Sequence, residues 1–323
     1  MNSAILVVGG AGYLGARLVP LLLEQGHRVA VSDLLWFGNP FKDVEVIQRD
    51  VFDIELPFLE RFDQIIFLAG FSNDATAEHE PALCYRQNVT APAHLARAAK
   101  QAGVQRFIYA ESCAVYGLSG TPTTEDDETN TNSIYANSKL RGGIEVAFFG
   151  DNTFSVIRLR LGTICGYSPR MRFDILLNAM YKTGITEGKV YVSNPMVWRP
   201  LLAIGDAALA FSAAVSADKT LGGIFNIRTA NFTLGQIAEH VVQHFQRNHH
   251  KTLQIVESTV TGISSYMACG KKASNLLNFN PSSSLETCLE ELDRCLPSDC
   301  NYEDDVFFNA KAMQRIYPTL ARR

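Results

Sequence analysis

Gly9-Gly10-Ala11-Gly12-Tyr13-Leu14-Gly15 separates an apolar run, Ala4 to Val8, from a segment, Leu14 to Leu23, whose leucines recur at helical spacing. That order reads as strand, tight turn and helix, the first βα unit of a doubly wound α/β sheet. Glycine serves such a turn where the backbone needs positive φ, where an anion presses on the main chain, and where helix and strand lie close. The free N–H groups at the helix start then hold the anion. Leu14, Leu18, Leu21 and Leu22 share a helical face, Pro20 should bend the helix, and Gly26 is placed to stop it. A second strand, Arg28 to Ser32, runs into Asp33, 18 residues after Gly15. A carboxylate there would accept both hydroxyls of an adenosine ribose. The alternative is a glycine-rich turn without a ligand.

Around that unit, 323 residues with 47% hydrophobic and 19% charged side chains can bury a large core, which suggests one large domain and a smaller one. A net charge of −4 leaves no basic stripe for nucleic acid. No apolar run approaches a membrane span, and the first strand begins too early to leave room for a signal peptide. Seven scattered cysteines (Cys84, Cys113, Cys165, Cys269, Cys288, Cys295, Cys300), none in a Cys-x-x-Cys spacing, read as reduced thiols of a cytoplasmic protein.

Further strands are expected at Val44 to Gln48, which precedes Asp50-Val51, and at Gln64 to Leu68, which runs into Ala69-Gly70-Phe71-Ser72-Asn73-Asp74. Small residues at a strand's carboxyl end mark where such a sheet binds ligand; Asn73 and Asp74 could equally cap the next helix. One helix is expected over Pro81 to Ala102. A fifth strand, Phe107 to Ala110, leads to Glu111-Ser112-Cys113-Ala114-Val115-Tyr116-Gly117, and Thr121 to Asn132 reads as a polar surface loop. In Tyr135-Ala136-Asn137-Ser138-Lys139 the tyrosine and lysine share a helical face, so the ammonium can lower the phenol's pKa for proton exchange. The sixth strand, Ser155 to Arg160, precedes Gly162-Thr163-Ile164-Cys165-Gly166; Ser168 to Asp174 then leaves the sheet. Arg199-Pro200 follows, and the helix after Asp206 and the strand Gly223 to Ile227 should return to the main sheet. His240 and His244 share a helical face, but without an acidic or cysteine partner at metal-ligand spacing they read as a solvated face, and no metal is expected.

Gly9-x-x-Gly12-x-x-Gly15, Ser112 four residues before Tyr116, and Tyr135-x-x-x-Lys139 in this order resemble the extended short-chain dehydrogenase/reductases, the family of nucleotide-sugar epimerases and dehydratases. The likeness covers roughly residues 4 to 296. It implies a Rossmann domain over 1–165, to which 201–228 returns, and a smaller, mostly helical substrate domain over 166–323. NAD would lie on Gly9, Gly12, Tyr13, Leu14 and Gly15, with Asp33 on the ribose and Asp50 and Val51 at the adenine. Leu68, Ala69 and Gly70 would pass its nicotinamide side, and Asn88 would support the active-site lysine. Leu34 to Gly38 offers no arginine to a 2′-phosphate, so NAD is expected over NADP. Tyr135, Lys139 and Ser112 would be catalytic, with Tyr135 and Lys139 also touching the cofactor. A nucleotide-diphosphate sugar would meet Asn73, Asp74, Ser112, Cys113, Thr163 and Arg199. Where relatives often have a second diphosphate arginine stands Met267, for which Arg170 or Arg172 could substitute.

The resemblance further implies a homodimer through Pro81 to Ala102 and Tyr135 to Phe149, with Leu83, Val89, Leu95, Ile144 and Phe148 as apolar surface. The 4,6-dehydratases of the family place an acid and a base directly after the catalytic hydroxyl, where this chain has Cys113 and Ala114. Epimerisation is therefore expected over elimination, although Cys113, Glu111 and Asp74 could form an unconventional pair. A cofactor-sensing regulator on the same fold is the remaining alternative. The acidic tail from Pro297, with a helical segment near Phe308 to Ile316, lies beyond the family's usual end and has no function assigned.

Overall fold

The computed structural model describes residues 2–320, with side chains up to 316. It begins as β1 (Ala4–Val8), the glycine turn, α1 (Gly15–Glu24), β2 (Arg28–Asp33) and β3 (Glu45–Gln48). A short α2 (Leu56–Leu59) precedes β4 (Gln64–Phe67), followed by α3 (Asp74–His79) and α4 (Pro81–Tyr85). The single helix expected from Pro81 onward is interrupted by a π-helical turn, Arg86–Thr90, before α5 (Ala91–Gln101). Next come β5 (Arg106–Ser112), β6 (Leu118–Thr123), α6 (Ile134–Ala147), β7 (Ser155–Leu161) and β8 (Thr163–Cys165). The C-terminal part holds α7 (Leu176–Glu187), β9 (Lys189–Ser193), β10 (Trp198–Ala203), α8 (Ile204–Ser216), β11 (Gly223–Ile227), β12 (Ala230–Thr233) and α9 (Leu234–Asn248). It closes with β13 (Gln254–Ser258), β14 (Ser265–Ala268), α10 (Lys271–Leu277), α11 (Leu285–Cys295) and α12 (Asn309–Leu320).

Seven strands form one parallel sheet in the order β11-β7-β5-β4-β1-β2-β3. Both faces are covered, so the central strand β1 is apolar throughout and its successive side chains enter different cores. In β1, Ile5 and Val7 join the core of α1 and α8, whereas Ala4, Leu6 and Val8 join that of α5 and α6. Strand order reverses between β1 and β4, which opens a crevice at their carboxyl ends. Above it stand the sheets β12-β10-β8 and β13-β9 with α7, α9 and α11.

Several local expectations fail for tertiary reasons. Thr121 to Thr123 belong to β6, which pairs with β14 from far along the chain. Val89 and Leu95, read as dimer surface, are 3% and 0% exposed and belong to the monomer's core, while Ile144 and Phe148 are exposed. Among the described residues no helix is long and apolar enough to cross a membrane.

Candidate active site

The crevice is a cavity of about 450 Å³, and its floor is the glycine turn. Gly9 has φ +78°, and a Cβ there would lie 2.4 Å from the Ala69 nitrogen; at Gly15 it would lie 2.1 Å from the Gly10 carbonyl oxygen. These two glycines let β1, β4 and α1 close on one another. Gly12 differs: a Cβ would meet only the Gly9 carbonyl at 3.2 Å and otherwise point into the cavity. Leu14, at the start of α1, provides no side-chain cap, so no capping side chain of its own occupies the helix's anion-binding end. This cradle fits a dinucleotide pyrophosphate. Tyr13 lines it and fastens it to the opposite wall, its hydroxyl donating to the Gly166 carbonyl (2.5 Å) and its carbonyl accepting from Ser168 (2.7 Å).

At the adenosine end, Asp33 accepts from the backbone N–H groups of Leu35 (2.8 Å) and Ala11 (3.0 Å). Burial raises its pKa, against the pull of those bonds and of Arg170. The expectation of no arginine near this carboxylate holds only for neighbouring sequence. Arg170 arrives from the segment after β8 and stacks on Phe37, 3.6 Å from the ring centroid. Burial and the nearby Arg172 lower its pKa to about 9. Its Nη2 donates to Asn309 (2.6 Å), and its buried Nε has no partner among the described residues. Asp50 lines the same end, where it caps the turn at Phe52 (3.2 Å) and pairs with Arg86 (3.3 Å); Val51 beside it is buried.

Leu68, Ala69 and Gly70 bring the main chain of the β4 end to the cavity. Gly70 has φ +118°, and a Cβ there would strike Asn88 Oδ1 at 2.1 Å. Asn88 is fully buried behind this loop and does not line the cavity. Its amide binds both the N–H (2.8 Å) and carbonyl (3.1 Å) of Phe71 and donates to Ser138 (2.9 Å), so it positions a loop and a helix instead of touching cofactor. Asn73 is the cap of α3, accepting from the Thr76 N–H (3.0 Å), and also lines the cavity with Asp74.

Ser112, Tyr135 and Lys139 meet at the end of β5. Ser133 caps α6 at the Ala136 N–H (3.1 Å), which sets Tyr135 in its first turn. Burial pushes the Tyr135 phenol up to about 12; Ser112, hydrogen-bonded to it, and Arg172 pull it down, and Asp74 raises it. Lys139 donates to the Ala110 carbonyl (3.0 Å), and burial lowers its pKa to about 8. The expected partnership of ammonium and phenol is thus not the contact made here: the ammonium is held under the strand end. Cys113 also departs from expectation. It is fully buried, donates to the Arg160 carbonyl (3.1 Å), and has its pKa raised strongly by burial. Ser112 ends the strand, so the next side chain turns inward. Glu111 is equally committed, bound to Arg160 at 2.7 Å with Arg158 at 3.8 Å.

Opposite stand Thr163, Arg172, Arg199 and Tyr266. Arg199 lies 5.0 Å from the Tyr266 ring centroid, and its guanidinium donates to the Trp198 carbonyl (2.9 Å) and the Ser264 carbonyl. Arg172 binds Asp174 (2.8 Å) and Ser72 (2.9 Å), leaving its buried Nη2 unpartnered. Arg170 and Arg172, read from sequence as possible diphosphate arginines, both line the cavity, while Asp174, Trp36, Tyr266 and Asn309 are cavity residues that the motifs alone did not reveal as such. Elsewhere, His244 is buried and lies 2.8 Å from Asp293 and 3.3 Å from Glu286, both on α11; His249 lies 2.9 Å from Asp293. The solvated face expected for α9 therefore fails at His244, whose acidic partners come from more than forty residues away. The donor atoms of His244, His249 and Asp293 lie within 4.8 Å of one another, already satisfied by mutual hydrogen bonds.

A family model described as the NAD dependent epimerase/dehydratase family matches residues 5–227. A UDP-glucose 4-epimerase of Neisseria meningitidis serogroup C is 33% identical over 177 residues, covering 48% of this chain and 51% of that protein. One from Lactobacillus helveticus is 31% identical over 144 residues, covering 42% and 44%. The chain thus spans about half the length of the curated relatives it matches. Among solved structures, MoeE5 in complex with UDP-glucuronic acid and NAD superposes with a TM-score of 0.80 at 24% identity, over 91% of this chain and 100% of that one. TunA, an NAD-dependent NDP-hexosamine 5,6-dehydratase involved in tunicamycin biosynthesis, gives 0.80 at 20% identity, over 90% and 97%. At these identities the superpositions speak to the fold.

Proposed function

This chain belongs to the NAD-dependent epimerase/dehydratase family, and from that premise we propose that it is an NAD-dependent nucleotide-sugar epimerase working through a transient keto sugar. The observation that carries the proposal is the meeting, in one cavity, of a dinucleotide cradle with Ser112, Tyr135 and Lys139, next to a strand end that lacks an available acid and base. Tyr135 takes the proton from a sugar hydroxyl as the carbon gives up a hydride, and returns it when the hydride comes back. Ser112 hydrogen-bonds the reacting oxygen and holds the phenol. Arg172 supplies positive charge that helps a phenol raised by burial to lose its proton near neutrality, and Lys139, held at the Ala110 carbonyl, would carry the nicotinamide ribose. Bound NAD supplies the hydride acceptor and donor, and return of the hydride to the other face inverts the centre.

Elimination would require a base at one carbon and an acid at the leaving hydroxyl. Cys113 points into the core, Glu111 is locked to Arg160, and Ala114 has no function to offer, so Asp74 stands without a partner for that task. Arg199 and Arg172 are the cations placed for the substrate's anionic groups. The cytoplasm as its location and a homodimer through α4, α5 and α6 belong to the same proposal, with Tyr85 on α4, Ile144 on α6 and Phe148 directly after α6 exposed by 56%, 49% and 86%. The test is incubation with UDP-, GDP-, CDP- and dTDP-sugars, read by mass spectrometry and NMR. An isomer of unchanged mass is expected; a product lighter by one water would overturn epimerisation, and no turnover of any sugar would favour a cofactor-sensing role.

A further inference from the structure

The C-terminal segment crosses the mouth of the cavity. Phe173 donates its N–H to the Phe307 carbonyl (3.0 Å), and its ring packs on Phe307 and Tyr302 at centroid distances of 5.1 and 5.2 Å. Met313, 2% exposed, sits in an apolar cluster with Phe71, Ala77 and Cys84, against which Tyr135 packs. Between these anchors lies Asn309, itself part of the cavity wall. Its backbone N–H donates to Asp174 (2.9 Å), its amide nitrogen to Ser72 (3.2 Å), and its amide oxygen accepts from Arg170 (2.6 Å). One side chain thereby ties the loop after β4 to the segment after β8, the two banks of the crevice.

Arg170 depends on that tie. Apart from Asn309 its guanidinium has, among the described residues, only the Met171 carbonyl at 3.4 Å as a hydrogen-bond acceptor, and it reaches over Phe37 toward Asp33 at the adenosine end. Epimerisation returns a hydride to the sugar that gave it, so reduced cofactor lost before the return would strand a ketone. We propose that residues 302–316 form a clasp across the cofactor cavity, with Asn309 as the positioning residue, that slows cofactor release and keeps NAD bound through turnover. The clasp rests on the proposed function.

The test measures NAD dissociation from the full-length protein, by competition with excess labelled NAD, for wild type, Asn309→Leu, Asn309→Ala and Asn309→Asp. The aspartate keeps an acceptor for Arg170 and can accept from Ser72; the leucine keeps the size and loses both bonds. Release should quicken by about tenfold or more in the leucine and alanine variants, as loss of a buried hydrogen bond to a charged group implies, and stay within about threefold of wild type in the aspartate. Hydrogen exchange should show faster amide opening at 71–76 and 170–174 in the two fast-releasing variants, with other regions unchanged. Equal release rates in all four proteins, or a fast-releasing aspartate, would overturn the clasp while leaving the proposed function intact. A wild type that binds no NAD would overturn both.

Discussion

The two halves of the cavity are built from different material. The floor of the cofactor half is main chain: Gly9, Gly12, Gly15 and Gly70 place strand ends and a helix start so closely that a Cβ at three of these positions would lie within 2.5 Å of another atom. The substrate half is side chain, with Ser112, Tyr135, Arg172, Arg199 and Tyr266 drawn from separate segments between residues 112 and 266. Backbone shape tolerates no added atoms but is indifferent to charge. Side-chain chemistry tolerates isosteric replacement without loss of fold and fails with the loss of one proton or one ammonium. Substitutions in the two halves should therefore separate binding and stability from turnover.

The sharpest separation is expected from Tyr135→Phe, which removes one phenolic oxygen. Steady-state kinetics should show kcat lowered by about a thousandfold, within the range for a general acid and base, with NAD affinity within about twofold. Near-normal kcat would break the comparison. Lys139→Met should abolish turnover yet stabilise the protein by at most about 3 kcal/mol in denaturant unfolding at pH 7. The sign follows from burial, which lowers the lysine's pKa from 10.5 to about 8. The unfolded chain holds more protons between these values. The penalty is therefore complete below about pH 8 and is relieved as pH rises toward 10.5, in wild type only. A variant no more stable than wild type would show that the Ala110 carbonyl already compensates the ammonium.

In the cofactor half, Gly9→Ala should cost about 2 kcal/mol or more and weaken NAD binding, because it adds strain at positive φ to a clash with Ala69. Unchanged melting and NAD affinity would show that the turn can yield. The smallest effect is expected at Cys113→Ala: about 1 kcal/mol or less in stability, and activity within about twofold, since the thiol faces the Arg160 carbonyl. Loss of activity there would bring Cys113 back into the chemistry and blur the line between the halves.

The same contrast explains what could be read from sequence. A turn that depends on glycine spacing is written in seven consecutive residues, and a tyrosine and lysine four apart share a helix face wherever the helix lies. Arg170 beside Asp33 required two segments 137 residues apart to meet, and no local pattern signals that. Cys113 illustrates a related limit: adjacency to Ser112 puts it at the substrate, while a cysteine beside a strand end can equally be a small buried hydrophobe, and the strand's alternation puts this one in the core. His244 had its acidic partners on another helix, beyond the reach of any spacing rule. The tail was legible as a helix and as acidic, while its place over the cavity depended on Phe173, Asp174 and Ser72 being assembled first.

The π-helical turn at Arg86–Thr90 holds Gln87, Asn88 and Val89 inward together, and Asn88 bridges Phe71 and Ser138 from there. One residue fewer would convert it to an ordinary helical turn and rotate everything before it by about 100° relative to α5. Cys84 would then leave its contact with Ser138, and Asn88 would swing off the loop that lines the cofactor. A residue such as Thr90, exposed on this turn, can be exchanged for others at little cost, but the number of residues cannot change. This stretch can vary in its letters and not in its length, and among related chains a gap here should be rarer than a substitution.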